Sequence, residues 1–138
     1  MNLTDPIAVT IGAGGANDGG PIDGPPAARD RVEGSVEDVE AFGGGNIQLF
    51  GNEADNRLRA FGSSPGVSAI VGKGGNDRLV GSGLEDTIEG GAGSDWMEAF
   101  AGTDKVYAKD GARDRRIDCG EGADLAEVDK KDPKPISC

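Results

Sequence analysis

A ladder of apolar residues runs through the chain at a nearly constant spacing. Its rungs are Val39, Leu49, Leu58, Ile70, Leu79, Ile88, Met97, Val106, Ile117 and Ala126, and six of the nine intervals between them are nine residues. A helix repeats its buried face about every 3.6 residues and a strand about every two, so neither element alone produces this rhythm. Each rung stands in a short run such as Thr87-Ile88-Glu89 or Lys105-Val106-Tyr107. Such a run predicts a brief strand with the rung pointing inward and its neighbours outward. Glycine-rich stretches separate the runs, and glycine supplies the positive φ and close backbone approach of a tight turn. Strand and turn repeating at a fixed short period predict an all-β solenoid of stacked parallel strands. No apolar stretch holds a helical period for more than a turn or two without glycine, so no significant helix is expected. The departures from nine are insertions: Ser64-Pro65-Gly66-Val67 lengthens one turn, and one or two residues are added between Ala108 and Arg116. Insertions in a solenoid map to its loops.

The ladder covers the middle of the chain, and its flanks read differently. Ile7-Ala8-Val9-Thr10-Ile11 is a short alternating strand candidate. The following GAGGANDGGPIDGPPAARD is rich in turn residues, and Pro25-Pro26 excludes helix and central strand there. This segment is either a disordered arm or an ordered cap over the first coil. The expected division is 1–38 for the N-terminal strand and cap, 39–109 for the regular array, and 110–138 for a degenerate last coil and C-terminal cap. The charged run Val128 to Asp132, with Pro133 and Pro135 after it, suits a polar cap over the last open sheet edge.

Composition agrees with a solenoid and disfavours an ordinary core. With Gly 25 and Pro 7 in 138 residues, and only 4% aromatic content, a single three-dimensional core would be thin. A solenoid avoids the problem because each coil buries one small layer against its neighbours. Lys+Arg 14 against Asp+Glu 25 gives a net charge of −11. Such a chain does not bind nucleic-acid phosphates by counterion release. It suits hard, oxygen-seeking cations, provided the carboxylates are placed rather than scattered.

They are placed. Residues 72–107 read GKGGNDRLV, GSGLEDTIE, GGAGSDWME and AFAGTDKVY, with aspartate sixth in each block (Asp77, Asp86, Asp95, Asp104) and an apolar rung eighth. One aspartate beside a turn is ordinary turn chemistry. Four in register with the rung are not explained that way. The pattern, G-G-x-G-x-D-x-U-x, resembles the calcium-binding nonapeptide repeat of the RTX (hemolysin-type) proteins. The resemblance implies a parallel β-roll in which two blocks make one coil of about 18 residues, so that Leu79 stacks with Met97 and Ile88 with Val106. It also implies Ca2+ held by about six oxygens at about 2.3–2.6 Å. Asp77 would pair with Asp95 on one edge and Asp86 with Asp104 on the other, with Asp114 and Asp124 as weaker extensions across insertions. Backbone carbonyls near Gly74, Asn76, Gly83, Glu85, Ala92 and Ser94 are the expected partners. Upstream, the sixth positions are Asn56 and Ile47, so the first coils are expected to bind no calcium, leaving roughly two to four ions in all. Mg2+ and Zn2+ fit less well, the latter because histidine is absent and the cysteines are remote.

The same resemblance extends to both ends. Val9 to Val39, with Asp30-Arg31-Val32 and Asp38-Val39-Glu40, looks like the segment that precedes such arrays, which favours an ordered cap. The tract from Asp110 through Cys119-Gly120 to Cys138 looks like the cysteine-containing cap of secreted members, although Arg115-Arg116 adds one residue before the first cysteine and leaves the last register open. Cys119 and Cys138 are either free thiols or a disulfide, and their place at the end of the array favours a disulfide. Such a bridge closes a loop of about 20 residues, worth roughly 3 kcal/mol, and implies an oxidising, extracellular compartment.

Other chemistry finds little support. No P-loop, EF-hand loop or strand-flanked G-x-G-x-x-G is present. Without histidine, Ser-His-Asp and Cys-His mechanisms are absent. The chain is therefore expected not to be an enzyme but a secreted calcium-binding module that folds on, or is stabilised by, Ca2+. The alternatives are a β-helix polysaccharide-active enzyme or its accessory domain, and an adhesion module with a protein or glycan partner. The outward residues Arg78, Thr87, Trp96 and Lys105 form no regular ladder, and Trp96 reads as a structural residue or a lone surface contact. No segment is long and apolar enough for a membrane span. Met1 to Pro6 has no signal-peptide character, which suggests a module cut from a longer chain.

Overall fold

A computed structural model describes residues 7–11, 30–32, 38–64 and 66–138. The elements are β1 (Ile7–Ile11), β2 (Asp30–Val32), β3 (Asp38–Gly43), β4 (Ile47–Phe50), β5 (Arg57–Gly62), β6 (Ser68–Gly74), β7 (Arg78–Val80), β8 (Asp86–Ala92), β9 (Trp96–Glu98), β10 (Ala101–Gly102), β11 (Lys105–Ala108), β12 (Arg116–Asp118), β13 (Glu121–Gly122) and β14 (Leu125–Val128). The described residues contain no helix, so none is available to cross a membrane.

All strand pairs are parallel. Successive rungs of the apolar ladder fall alternately into two sheets, because each coil visits both. One sheet runs β14-β11-β8-β6-β4-β1-β2 and the other β12-β9-β7-β5-β3, with β10 and β13 paired beside them. Leu49, Ile70, Ile88, Val106 and Ala126 stack in the first. Val39, Leu58, Leu79, Met97 and Ile117 stack in the second. The expected pairs Leu79 with Met97 and Ile88 with Val106 are both formed. The β-roll is therefore real, with about 4 turns of about 20 residues. The 18-residue coil holds between Asp77 and Asp95 and between Asp86 and Asp104. It lengthens to 21 between Asn56 and Asp77 and 20 between Asp104 and Asp124.

The core follows from the two-residue strand period. The rungs from Leu49 to Ile117 are at most 1% exposed. Two residues after each rung from Val39 to Ile117 lies a second inward column of small residues: Ala41, Ala60, Gly81, Ala99 and Cys119 on one sheet, Gly51, Gly72, Gly90 and Ala108 on the other. Two residues before each rung lies a third inward position, and that is where the aspartates stand.

Three local features set the register. At the N-terminal end, β1 lies between β4 and β2, with Val9 beside Leu49 and Ile7 beside Ile47, so the chain order of the first strands is inverted in the sheet. Residues 12–29, the core of the expected cap, lie outside the described residues. Near the other end, the N–H groups of Arg115 and Arg116 both donate to the carbonyl of Asp95, at 2.7 and 3.3 Å. Two residues facing one is a β-bulge. Arg115 is the extra residue, and Arg116 returns to register opposite Trp96. Finally, Ile136 donates its N–H to Ile117 and accepts that of Cys119, covering the outer edge of β12. The Cys119–Cys138 disulfide fixes this tail.

On the outer face of the five-stranded sheet, the half-buried Trp96 ring lies between the guanidinium groups of Arg78 and Arg116, 5.3 and 5.5 Å from its centre. Glu98 receives both arginines at 3.5 Å. The single tryptophan is thus a structural clasp between three coils.

Candidate metal centre

The aspartates form two columns, one on each edge of the roll. On the first, the N–H of Asn56 donates to Oδ1 of Asp77 at 2.7 Å, that of Asp77 to Asp95 at 2.7 Å, that of Asp95 to Asp114 at 2.9 Å, and that of Asp114 to Asp132 at 3.0 Å. On the second, the N–H of Asp86 donates to Asp104 and that of Asp104 to Asp124, both at 2.8 Å. Each of the six accepting carboxylates thus spends one oxygen on the backbone of the coil before it. In each of the four anticipated pairs the N–H of one aspartate meets the carboxylate of the other.

The other oxygen is the chemically informative one. Oδ2 of Asp77, Asp95, Asp104, Asp114 and Asp124 is buried and has no hydrogen-bond partner. Asp86 differs, because the N–H and hydroxyl of Ser82 reach its carboxyl. A buried acceptor without a donor is costly unless a proton or cation meets it. Three of the four blocks begin with a glycine (Gly72, Gly81, Gly90), which leaves room beside the carboxylate. A β-carbon on Gly72 would strike both Asp77 Oδ2 and the carbonyl oxygen of Gly90, and one on Gly81 would strike Asp86 Oδ2 and crowd the carbonyl of Ala99. Beside Gly72, carboxylate and carbonyl oxygens therefore border one small cradle with no donor described between them, whereas beside Gly81 the N–H and hydroxyl of Ser82 already reach Asp86 Oδ2.

Burial pushes the Asp77, Asp95 and Asp104 carboxyls up to about 6 and Asp114 up to about 7, opposed in each case by the backbone N–H that the carboxylate accepts. Repulsion between stacked carboxylates adds to the rise: Asp77 on Asp95, Asp86 and Asp124 on Asp104, and Asp95, Asp132 and Asp110 on Asp114. Burial also raises Asp86, against hydrogen bonds from Ser82 and Ser68. Desolvated, mutually repelling carboxylates are what a divalent cation relieves. Among the described residues no group of three or more acidic or thiol side chains converges as a metal cluster. A cation here would be held by a pair of carboxylates and by carbonyls, an all-oxygen set that fits Ca2+.

The six residues expected to lend carbonyls are placed as follows. Gly74 and Ala92 close β6 and β8 in register with each other. Asn76 is exposed, with its N–H on Asp55 and its Oδ1 on the N–H of Ser94, while the Ser94 hydroxyl donates to Arg113. The Glu85 carbonyl accepts the N–H of Ser68 at 3.2 Å. Gly83 lies in an open, exposed turn with nothing near its missing β-carbon.

Sequence reasoning missed four participants. Ser68 occupies the sixth position between Ile47 and Asp86, hidden by the inserted turn before it. Asp132 ends the first column with both oxygens occupied, Oδ1 by Asp114 and Oδ2 by the N–H of Asp129. Its 18-residue separation from Asp114 was the available signal. The Gly90 and Ala99 carbonyls carry no side-chain signal at all.

A family model of the RTX calcium-binding nonapeptide repeat matches the chain in four copies, over residues 67–83, 71–99 and 80–113. No curated protein and no solved structure matches the chain. The matched span is where buried aspartates, turn glycines and apolar rungs recur together, and over residues 67–113 the chain carries repeats of the RTX calcium-binding nonapeptide type.

Proposed function

We propose that Ca2+ completes the coils of this module and stabilises the roll, and that the module works outside the cell without catalysing a reaction. The observation that carries this reading is the set of five buried Oδ2 atoms without a partner, stacked along both edges. In the metal-free protein these groups oppose folding unless protonated. A bound cation converts each junction from repulsive to attractive, and ligand binding confined to the native state raises stability by mass action. Roughly two to four ions are expected, one for each junction with a carboxylate on both coils. The candidate junctions are Asp77–Asp95, Asp86–Asp104, Asp95–Asp114 and Asp104–Asp124; the fifth such pair, Asp114–Asp132, closes the column in the C-terminal cap. The Cys119–Cys138 bridge is consistent with an oxidising compartment, and the separation of low intracellular from high extracellular calcium would time the stabilisation to export.

Calorimetric titration with CaCl2 after exhaustive chelation, together with circular-dichroism melting in EDTA and in calcium, tests the reading. Two to four bound ions and a raised melting temperature are expected. An identical melt in both conditions would refute it.

A further inference from the structure

The turns on the two edges are joined to their neighbours by different means. On the edge carrying Asp77, Asp95 and Asp114, side chains of the turns themselves cross from coil to coil. Oδ1 of Asp55 accepts the N–H and Nδ2–H of Asn76 at 2.7 and 3.3 Å. Oδ1 of Asn76 accepts the N–H of Ser94 at 3.1 Å, and Oγ of Ser94 donates to the carbonyl of Arg113 at 2.7 Å. Oδ2 of Asp110 accepts the N–H of Gly93 at 3.1 Å, and Nζ of Lys131 donates to the carbonyl of Gly111 at 2.9 Å. None of these bonds needs a metal.

On the opposite edge one junction lacks such stitches. The polar groups of turn 82–85 look inward: Ser82 bonds to Asp86 and accepts the N–H of Leu84. Gly83 faces open space. Among the described residues no hydrogen bond joins Ser82, Gly83, Leu84 or Glu85 to the turn above, residues 100–103. The ties are at the strand ends only, Gly81 N–H to Glu98 at 2.8 Å and Asp86 N–H to Asp104 at 2.8 Å. The next junction on that edge is held by backbone pairing of β10 with β13, and the previous one by Ser68 on Glu85.

We propose that the Asp86–Asp104 junction is the one place where the roll depends on calcium to hold two turns together, while the Asp77–Asp95 junction stays closed without it. The inference rests on the calcium reading above and adds where calcium acts. Removal of the ion leaves the carboxylates of Asp86 and Asp104 facing each other with no side-chain stitch beside them, so this edge opens locally while the roll persists. Local opening of a weakly bonded segment requires less free energy than global unfolding.

Amide hydrogen exchange read by mass spectrometry, on the intact chain in calcium and in EDTA, tests this. Chelation is expected to speed exchange of amides 82–86 and 100–104 by about tenfold or more, with amides 74–77 and 92–95 little changed. An equal rise on both edges overturns the proposal and leaves the calcium reading intact. No rise on either edge overturns both. The paired substitution Asp55→Ala with Asn76→Ala removes stitches from the protected edge, and is expected to make amides 74–77 and 92–95 respond to chelation as well. A double variant whose protected edge stays protected in EDTA counts against the proposed role of the side-chain ladder.

Discussion

The backbone N–H of Asp77 donates to Oδ1 of Asp95 at 2.7 Å, one coil further along, while Oδ2 of Asp95 stays buried without a partner. One carboxylate thus has two separable duties, one to the backbone and one to a cation. Asp95→Ala removes both. It orphans a buried N–H, which costs about 1–3 kcal/mol in the absence of metal, and it removes the ion. Asp95→Asn keeps an oxygen for the Asp77 N–H and removes the charge; Asn56 is already an uncharged amide in the same column. It is expected to melt at or above the wild-type temperature in EDTA, yet to lose most of the calcium-induced rise. Melting curves of both variants in EDTA and calcium check this; an Asn variant with the full calcium response would exclude Asp95 as a ligand.

Protons and calcium compete for the same oxygens, and the sign of the pH effect is unusual for aspartate. Folded-state values of about 6 for Asp77, Asp95 and Asp104 and about 7 for Asp114 lie above the ordinary 3.8. Between these limits the metal-free native state binds more protons than the unfolded chain. Its stability is therefore fully present below the unfolded value and is lost as pH rises through the folded values. In EDTA the melting temperature should rise as pH falls from 8 to 5. The stabilisation by calcium should shrink over the same range, because binding must expel the protons. A melting temperature in EDTA that falls on acidification would contradict the buried carboxylates described here.

How much of this was visible in the sequence depends on the residue. The rungs were legible because burial selects Leu, Ile, Val and Met at a spacing that insertions barely disturb, and all ten rungs fell into the two sheets. The four central aspartates were legible because they share that spacing. Ser68 was not, because the inserted turn shifts its block and a serine is unremarkable there. The inverted order of β1 and β2 was hidden as well, since strand pairing at the end of a sheet depends on contacts that no local pattern records. The doubtful register at Arg115-Arg116 resolved into a bulge, in which the extra residue is absorbed at one carbonyl, that of Asp95.

The glycines of the turns are not equivalent, and substitution should show it. Gly93 has φ +143°, and a β-carbon on it would collide with the carbonyl of Gly75 in the coil below. Gly93→Ala therefore meets backbone it cannot displace, and a loss of more than about 1–3 kcal/mol is expected. Gly83 has open space around it, and Gly83→Ala should lie within about 1 kcal/mol of wild type, on the stabilising side if the unfolded chain is stiffened. Urea denaturation of the pair in calcium measures the difference, and equal losses would argue against carbonyl stacking as the reason for glycine in these repeats.

Cys119 occupies the inward column otherwise filled by Ala41, Ala60, Gly81 and Ala99 and is fully buried. Cys119→Ala therefore suits its site, and its cost isolates the bridge to Cys138, 19 residues away. The lost constraint on the unfolded chain is worth about 3 kcal/mol. Reduced wild type and the Cys119→Ala/Cys138→Ala variant should melt at the same lowered temperature. A variant much less stable than the reduced protein would show that the thiol, not the bridge, matters.

Trp96 gives a final check on the stacking of three coils, because it is the only tryptophan and each ring face meets an arginine from a different coil. Arg78 approaches from one neighbouring strand and Arg116 from the other. A partly desolvated cation over an aromatic face contributes about 0.5–2 kcal/mol. Arg116 also pairs with Asp118 and with Glu98, whereas among the described residues Arg78 pairs with Glu98 alone. Arg116→Ala should therefore destabilise more than Arg78→Ala, and both should move the tryptophan emission to longer wavelength in the folded protein as water reaches the exposed ring face. Replacement of Arg116 by Lys retains charge but not the planar stack, so it should recover part of the stability and little of the emission shift. Emission unchanged in both alanine variants would mean that the ring is not clasped between the coils.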